Sequence, residues 1–141
     1  MSTEANKALV RRYREIYNTN QLDKLGEVLA DNFVPHTLFP GMSPGLETYK
    51  QIHTMAKASF PDIRTQTEDL IADGDKVVER WTQTMTHTGA PFMGLPPSGK
   101  AVRVTGISIY RLANGRIVEH WANMDFFGVM AQLGAIPAPG A

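Results

Sequence analysis

VRVTGISIYRLANGRIVEHWANMD, residues 102–125, decides the architecture. Val102, Val104, Gly106, Ser108 and Tyr110 recur at every second position, the period of a strand with one face turned inward. Asn114-Gly115 is a two-residue hairpin signal. A second run, 116–124, follows it and leads into Asp125, which sits among Trp121, Met124, Phe126 and Phe127. A carboxylate crowded by large apolar groups loses hydration and becomes a better base, so Asp125 is the lead catalytic candidate. Its competing role is to cap a helix starting at Phe126, where aspartate is favoured and the helix dipole welcomes its charge.

Working outward, runs 63–72 and 76–88 are rich in β-branched residues and meet at Asp73-Gly74-Asp75, a second hairpin signal. Residues 89–100 (GAPFMGLPPSGK) form a Pro/Gly loop between the hairpins. Upstream, apolar spacing predicts helices over 3–18, 21–30 and 46–59, with Pro61 stopping the third. A short strand is expected over 33–39 and a last helix over 126–133, ending at Gly134. Residues 135–141 are expected to be a mobile tail. Helices followed by sequential hairpins point to an α+β fold, one domain over 1–141, with a curved antiparallel sheet around N-terminal helices. The concave face of such a sheet leaves a pocket where helices do not cover it.

Composition narrows the chemistry. Lys plus Arg and Asp plus Glu are 14 each, so the net charge is zero and nothing attracts a polyanion; nucleic acid is not an expected partner. The chain has no cysteine, which removes disulfides and thiolate chemistry. His36, His53, His87 and His120 show no helical metal spacing, and phosphate-loop glycine patterns are absent, so neither metal nor cofactor is expected. Gly41-Met42-Ser43-Pro44-Gly45 spells an esterase elbow, but Pro44 has no N–H for an oxyanion hole. No apolar run is long enough to span a bilayer, and the N-terminus lacks a signal core; a cytoplasmic location is expected.

Several residues are candidates for the pocket. On 76–88, Val77, Glu79, Trp81, Gln83, Met85 and His87 alternate against an outer, threonine-rich set. Trp81 and Met85 would then be wall and Gln83 a polar handle, although core packing explains the two apolar residues equally. Gly106 and Ser108 leave room beside Tyr110, unless Gly106 marks a bulge. His36 is either a surface or rim histidine or an acid/base helper. His53, on the apolar stripe of 46–59, reads as a hydrogen-bonded core histidine that meets a ligand if its helix lines the cavity. Phe39 and Trp121 complete the expected substrate contacts.

The segments FPD (60–62), IADGDKVVERWTQTMTHTG (71–89), FMGLPPSGK (92–100), GISIYRLANGRIVEHW (106–121) and MDFFGVMAQLG (124–134) resemble the SnoaL-like polyketide cyclases and related ester cyclases. The resemblance implies the cone-shaped fold shared with nuclear transport factor 2, usually a homodimer packed through the outer sheet face. It also implies cofactor-free intramolecular aldol closure of a small apolar carbonyl compound, with an aspartate corresponding to Asp125 as proton shuttle. The aldol cyclases carry glutamine and histidine where this chain has Gly106 and Ser108, and an asparagine near Pro35-His36. His36 is the expected replacement for the electrophile-stabilising group. Limonene-type epoxide hydrolysis and a non-catalytic binding module are the alternatives. Glu79 and Arg80 suit the former poorly, because strand neighbours face opposite ways.

Overall fold

The computed structural model describes residues 2–37 and 41–137; Phe39 and residues 138–141 of the expected tail lie outside the described residues. The decisive hairpin forms as expected. β4 (Ala101–Ala113) and β5 (Arg116–Met124) pair antiparallel. Asn114 and Gly115 both take positive φ, 52° and 77°, the twist that a two-residue turn requires. β2 (Arg64–Asp73) and β3 (Lys76–Thr86) form the second hairpin, and β3 lies antiparallel along β4.

One strand departs from the expected antiparallel pattern. β1 (Leu29–Pro35) runs parallel to β5, so the five-stranded sheet is mixed, in the order β1-β5-β4-β3-β2, with β1 and β2 as open edges. β1 also starts earlier than the expected 33–39 and ends before His36. The preceding segment is a 3-10 turn, Leu22–Glu27, rather than a helix over 21–30. Leu25, Val28 and Leu29 are each about 1% exposed, so core burial holds this stretch down and leaves no length for a regular helix.

Among the described residues three α-helices complete the fold: α1 (Thr3–Asn18), α2 (Leu46–Ser59) and α3 (Phe126–Gln132). Ser2 caps α1 by accepting the Ala5 N–H at 3.1 Å. The Asn18 side chain exchanges hydrogen bonds of 2.7 and 2.9 Å with the Thr65 backbone, fixing the end of α1 to β2. Alternation on β3 and β4 holds with one exception: Val77 to His87 and Val102 to Leu112 bury every second residue, and Thr82 of the outer set is buried as well. The apolar core falls into two clusters. Val10, Tyr13, Ile16, Phe33, Leu112 and Ile117 belong to one; Phe60, Trp81, Met85, Val104 and Val129 to the other. Along β3 and β4 the polar residues Glu79 and Ser108 sit between them. Among the described residues no helix is long and apolar enough to cross a membrane.

Candidate functional site

The concave face holds a buried ion pair. Glu79, fully buried, comes from β3, and Arg14 reaches it from α1 through Nε at 3.1 Å and Nη2 at 2.7 Å. The Tyr110 hydroxyl donates to Glu79 at 2.6 Å, as does that of Thr67 at 2.6 Å. Burial alone would push the Glu79 carboxyl up, but these donors outweigh it and hold the group below the usual range. With both oxygens engaged, Glu79 is a structural anion rather than an available base. The guanidinium lies 5.2 and 5.0 Å from the rings of Tyr13 and Tyr17. Tyr13 and Tyr49 join hydroxyls, and burial pushes both phenols up, Tyr49 to about 12. The arrangement is one matched ion pair among neutral phenols. Arg80, the next residue, faces outward to Asp69 at 2.6 Å, so Glu79 and Arg80 are kept on opposite faces as alternation demands.

Two buried histidines border this cluster. His120 faces inward from β5, stacked 5.0 Å from the Tyr110 ring; burial, with Arg14 nearby, lowers its pKa to about 4. His53 packs from α2 against Tyr17, ring centroids 4.2 Å apart, and burial followed by Lys57 and Arg14 lowers it to about 4 as well. Both imidazoles are therefore neutral near pH 7. The expectation of a hydrogen-bonded His53 is corrected: neither ring nitrogen has a partner.

Towards the other end of the same face, Trp81 lies across Gly106. The two are paired directly between β3 and β4, and a Cβ on Gly106 would overlap the indole. Pairing runs regularly through Gly106, so this glycine is a seat for Trp81 and not a bulge. The Trp81 N–H donates to Ser108 Oγ at 2.9 Å. The room expected at Gly106 and Ser108 is thus taken by the protein's own side chain. Gln83 is buried and donates to Thr65 Oγ1 at 2.9 Å and to the Tyr17 hydroxyl at 3.3 Å, while Met85 packs in the second apolar cluster.

Asp125 follows Met124, which pairs with Gly106. Its carboxylate is exposed, and Oδ1 accepts the Gly128 N–H at 2.9 Å as the cap of α3. The dehydration expected from its apolar neighbours is not present: Trp121 points to the convex side and Phe127 is itself 56% exposed. His36 is corrected in the same way. It stacks on Trp121 at 4.8 Å and meets the Glu119 carboxylate at 2.7 Å, both on the convex face. The fold therefore does not bring His36 and the concave face together. Among the described residues no group of three or more His, Asp or Glu is placed to hold a metal ion.

The SnoaL-like polyketide cyclase model matches residues 7–133. The chain belongs to the SnoaL-like polyketide cyclases. Nogalonic acid methyl ester cyclase of Streptomyces nogalater is 24% identical over 119 residues, 84% of this chain and 89% of that one. The structure of TsrD from Streptomyces laurentii superposes with a TM-score of 0.87 at 26% identity, covering 96% of this chain and 99% of that one. IdmH of Streptomyces antibioticus, a candidate polyketide cyclase, gives 0.81 at 31% identity, covering 92% and 98%.

Within this SnoaL-like chain, Asp125, Gly128, Gln132 and Leu133 of the closing D-x-x-G-x-x-x-Q-L-G run have structural tasks. Gly128 is small because a Cβ would collide with the capping Asp125 carboxylate. Gln132 exchanges hydrogen bonds of 2.9 and 2.8 Å with the Arg103 backbone, clamping α3 to β4, and Leu133 is buried. Sequence reasoning missed Arg14 and the inward His120. Arg14 had a weak signal: it occupies the same stripe of α1 as Val10 and Tyr17, where a charge needs a buried partner. His120 shares the alternating face of β5 with Ala122 and Met124.

Proposed function

We propose that this SnoaL-like chain is a cyclase that closes a ring in a small, largely apolar carbonyl compound by cofactor-independent acid/base catalysis. Asp125 removes a proton α to one carbonyl, and the enolate carbon bonds to a second carbonyl of the same molecule. The resulting alkoxide then recovers the proton from the Asp125 carboxylic acid. One C–C bond forms and no electrons are gained or lost, so the reaction needs no redox partner. The observation that carries this reading is a solvent-exposed carboxylate just past the end of β5, capping α3 through Oδ1, in a chain matching a cyclase family over 7–133. A substrate lying over Trp81 and Met124 would cover Asp125 and remove the water that weakens it as a base. Inward of that point, the neutral His120 can hydrogen-bond a ligand oxygen.

Asp125→Asn is the test, because asparagine caps helices as well as aspartate and preserves α3. The substrates are aromatic polyketide esters bearing an aldehyde or ketone. Ring closure conserves mass, so product is read by retention time and NMR. Turnover is expected to fall about 100-fold or more while binding persists; turnover within tenfold of wild type would falsify the role of Asp125.

A second reading, a non-catalytic binding module, is favoured by one observation: Asp125 is already engaged as a helix cap and faces solvent. It predicts that wild-type protein binds these compounds and leaves their NMR spectra unchanged.

We also propose that two copies pair through the convex face. Ile71, Val78, Ile109 and Trp121 are direct cross-strand neighbours and form one apolar row across β2, β3, β4 and β5. Ile71 is 62% exposed and Ile107, in the adjoining row, 50%.

A further inference from the structure

Buried polar atoms without partners are rare in folded proteins, and each calls for water or a ligand. Among the described residues two side chains carry such atoms: Asn6 through Oδ1, and His53 through both ring nitrogens. Asn6 lines a depression of about 120 Å³ at the turns Gly74-Asp75 and Asn114-Gly115, and is 3% exposed. His53 is equally buried, 3% exposed, and leaves both ring nitrogens unmatched where it packs edge-on against Tyr17.

The polar groups around His53 are matched among themselves. Gln83 donates to the Tyr17 hydroxyl and to Thr65, and Arg14 is matched by Glu79. Only the imidazole is left over. Burial keeps it neutral, assisted by the positive charges of Lys57 and Arg14, so it offers one N–H donor and one bare nitrogen acceptor. A leucine would fill the same place without a dry donor and acceptor. A buried ring whose nitrogens gain no hydrogen bond from its neighbours is suited to a partner that arrives later. The backbone of α2 leans mainly on β1, and Tyr49 ties the helix to Tyr13 of α1.

We infer that His53 is a substrate-recognition residue, which takes a hydroxyl of a neutral, hydroxylated aromatic ligand held between α2 and the concave face. The hydroxyl donates to the bare ring nitrogen, and the ring N–H is free for a second ligand oxygen. An anionic ligand is disfavoured, since the nearest guanidinium is already neutralised by Glu79. The inference rests on the concave face being the substrate chamber, but not on Asp125 being its base.

Two probes of similar size test it: 2-naphthol, which has an O–H, and 2-methoxynaphthalene, which does not. Affinity is measured by titration and the His53 ring nitrogens by ¹⁵N NMR. Wild-type protein should bind 2-naphthol about tenfold more tightly, equivalent to about 1.4 kcal/mol, with a shift of a His53 ring nitrogen. His53→Leu should bind both probes alike and unfold at an equal or higher urea concentration. Asp125→Asn should retain the wild-type preference, so this result stands apart from any turnover measurement. The inference is overturned by equal affinities in wild type, by no binding of 2-naphthol at millimolar concentration, or by unmoved His53 signals. It is overturned equally if His53→Leu keeps the preference or unfolds at a lower urea concentration, which would make the imidazole structural.

Discussion

Glu79 shows what a single position can and cannot reveal. Strict alternation along 76–88 turns it inward, as the sequence predicts, and an inward carboxylate in an apolar strand demands a cation. Nothing local says which cation. Arg80 is adjacent and faces away; Arg14 is 65 positions distant and arrives because α1 crosses the concave face. The pair is buried at both ends, so removing one charge strands the other. Glu79→Gln is expected to destabilise the protein by roughly 3 kcal/mol or more, a large share of the roughly 5–15 kcal/mol typical of a domain. Urea denaturation measures this, and Arg14→Met combined with Glu79→Leu should recover most of the loss. A Glu79→Gln protein within about 1 kcal/mol of wild type would mean that the ion pair is not intact.

At the scale of elements, the Pro/Gly loop 89–100 acts as a fastener. The Gly89 and Ala90 N–H groups donate to the carbonyls of Ser59 and Ala58 at 3.1 and 2.9 Å, and the Ser59 hydroxyl donates to Pro91 at 3.2 Å. The loop is thereby fixed to the end of α2. Gly89 sits so close that a Cβ would run into the Ala58 carbonyl, which is backbone and cannot turn aside. Gly89→Ala should therefore cost about 1–3 kcal/mol through overpacking. Gly26→Ala, whose Cβ would meet nothing within 4 Å, is the matched control. Thermal unfolding of the two variants side by side checks the difference; equal midpoints would show that the loop is not docked. The sequence placed this loop correctly but gave no hint of its anchor, since proline and glycine report turning and not what the turn lies against.

For the whole molecule, the convex apolar row is the feature with a consequence for assembly. The chain carries no net charge to hold copies apart. Ile107→Glu places a carboxylate beside that row without touching the concave core. Wild-type protein is expected to sediment as a dimer at micromolar concentration and Ile107→Glu as a monomer with unchanged far-UV circular dichroism. A wild-type monomer under these conditions would rule the interface out. The same face holds His36: of its two sequence readings, surface or rim group against acid/base helper, the surface one fits its place beside Trp121 on the outer side, next to β1 docked on β5.

The residues alone determined the helices over 3–18 and 46–59, both hairpins, and which members of β3 and β4 face inward. These follow from turn chemistry and from periods of 3.6 and 2, which act over a few neighbouring positions. Tertiary structure decided that Trp81 fills the space above Gly106, that Arg14 answers Glu79, that β1 runs parallel, and that the Asp125 carboxylate stands in water. Each of these depends on what a distant segment brings to the same point in space, and a local pattern carries no record of that meeting.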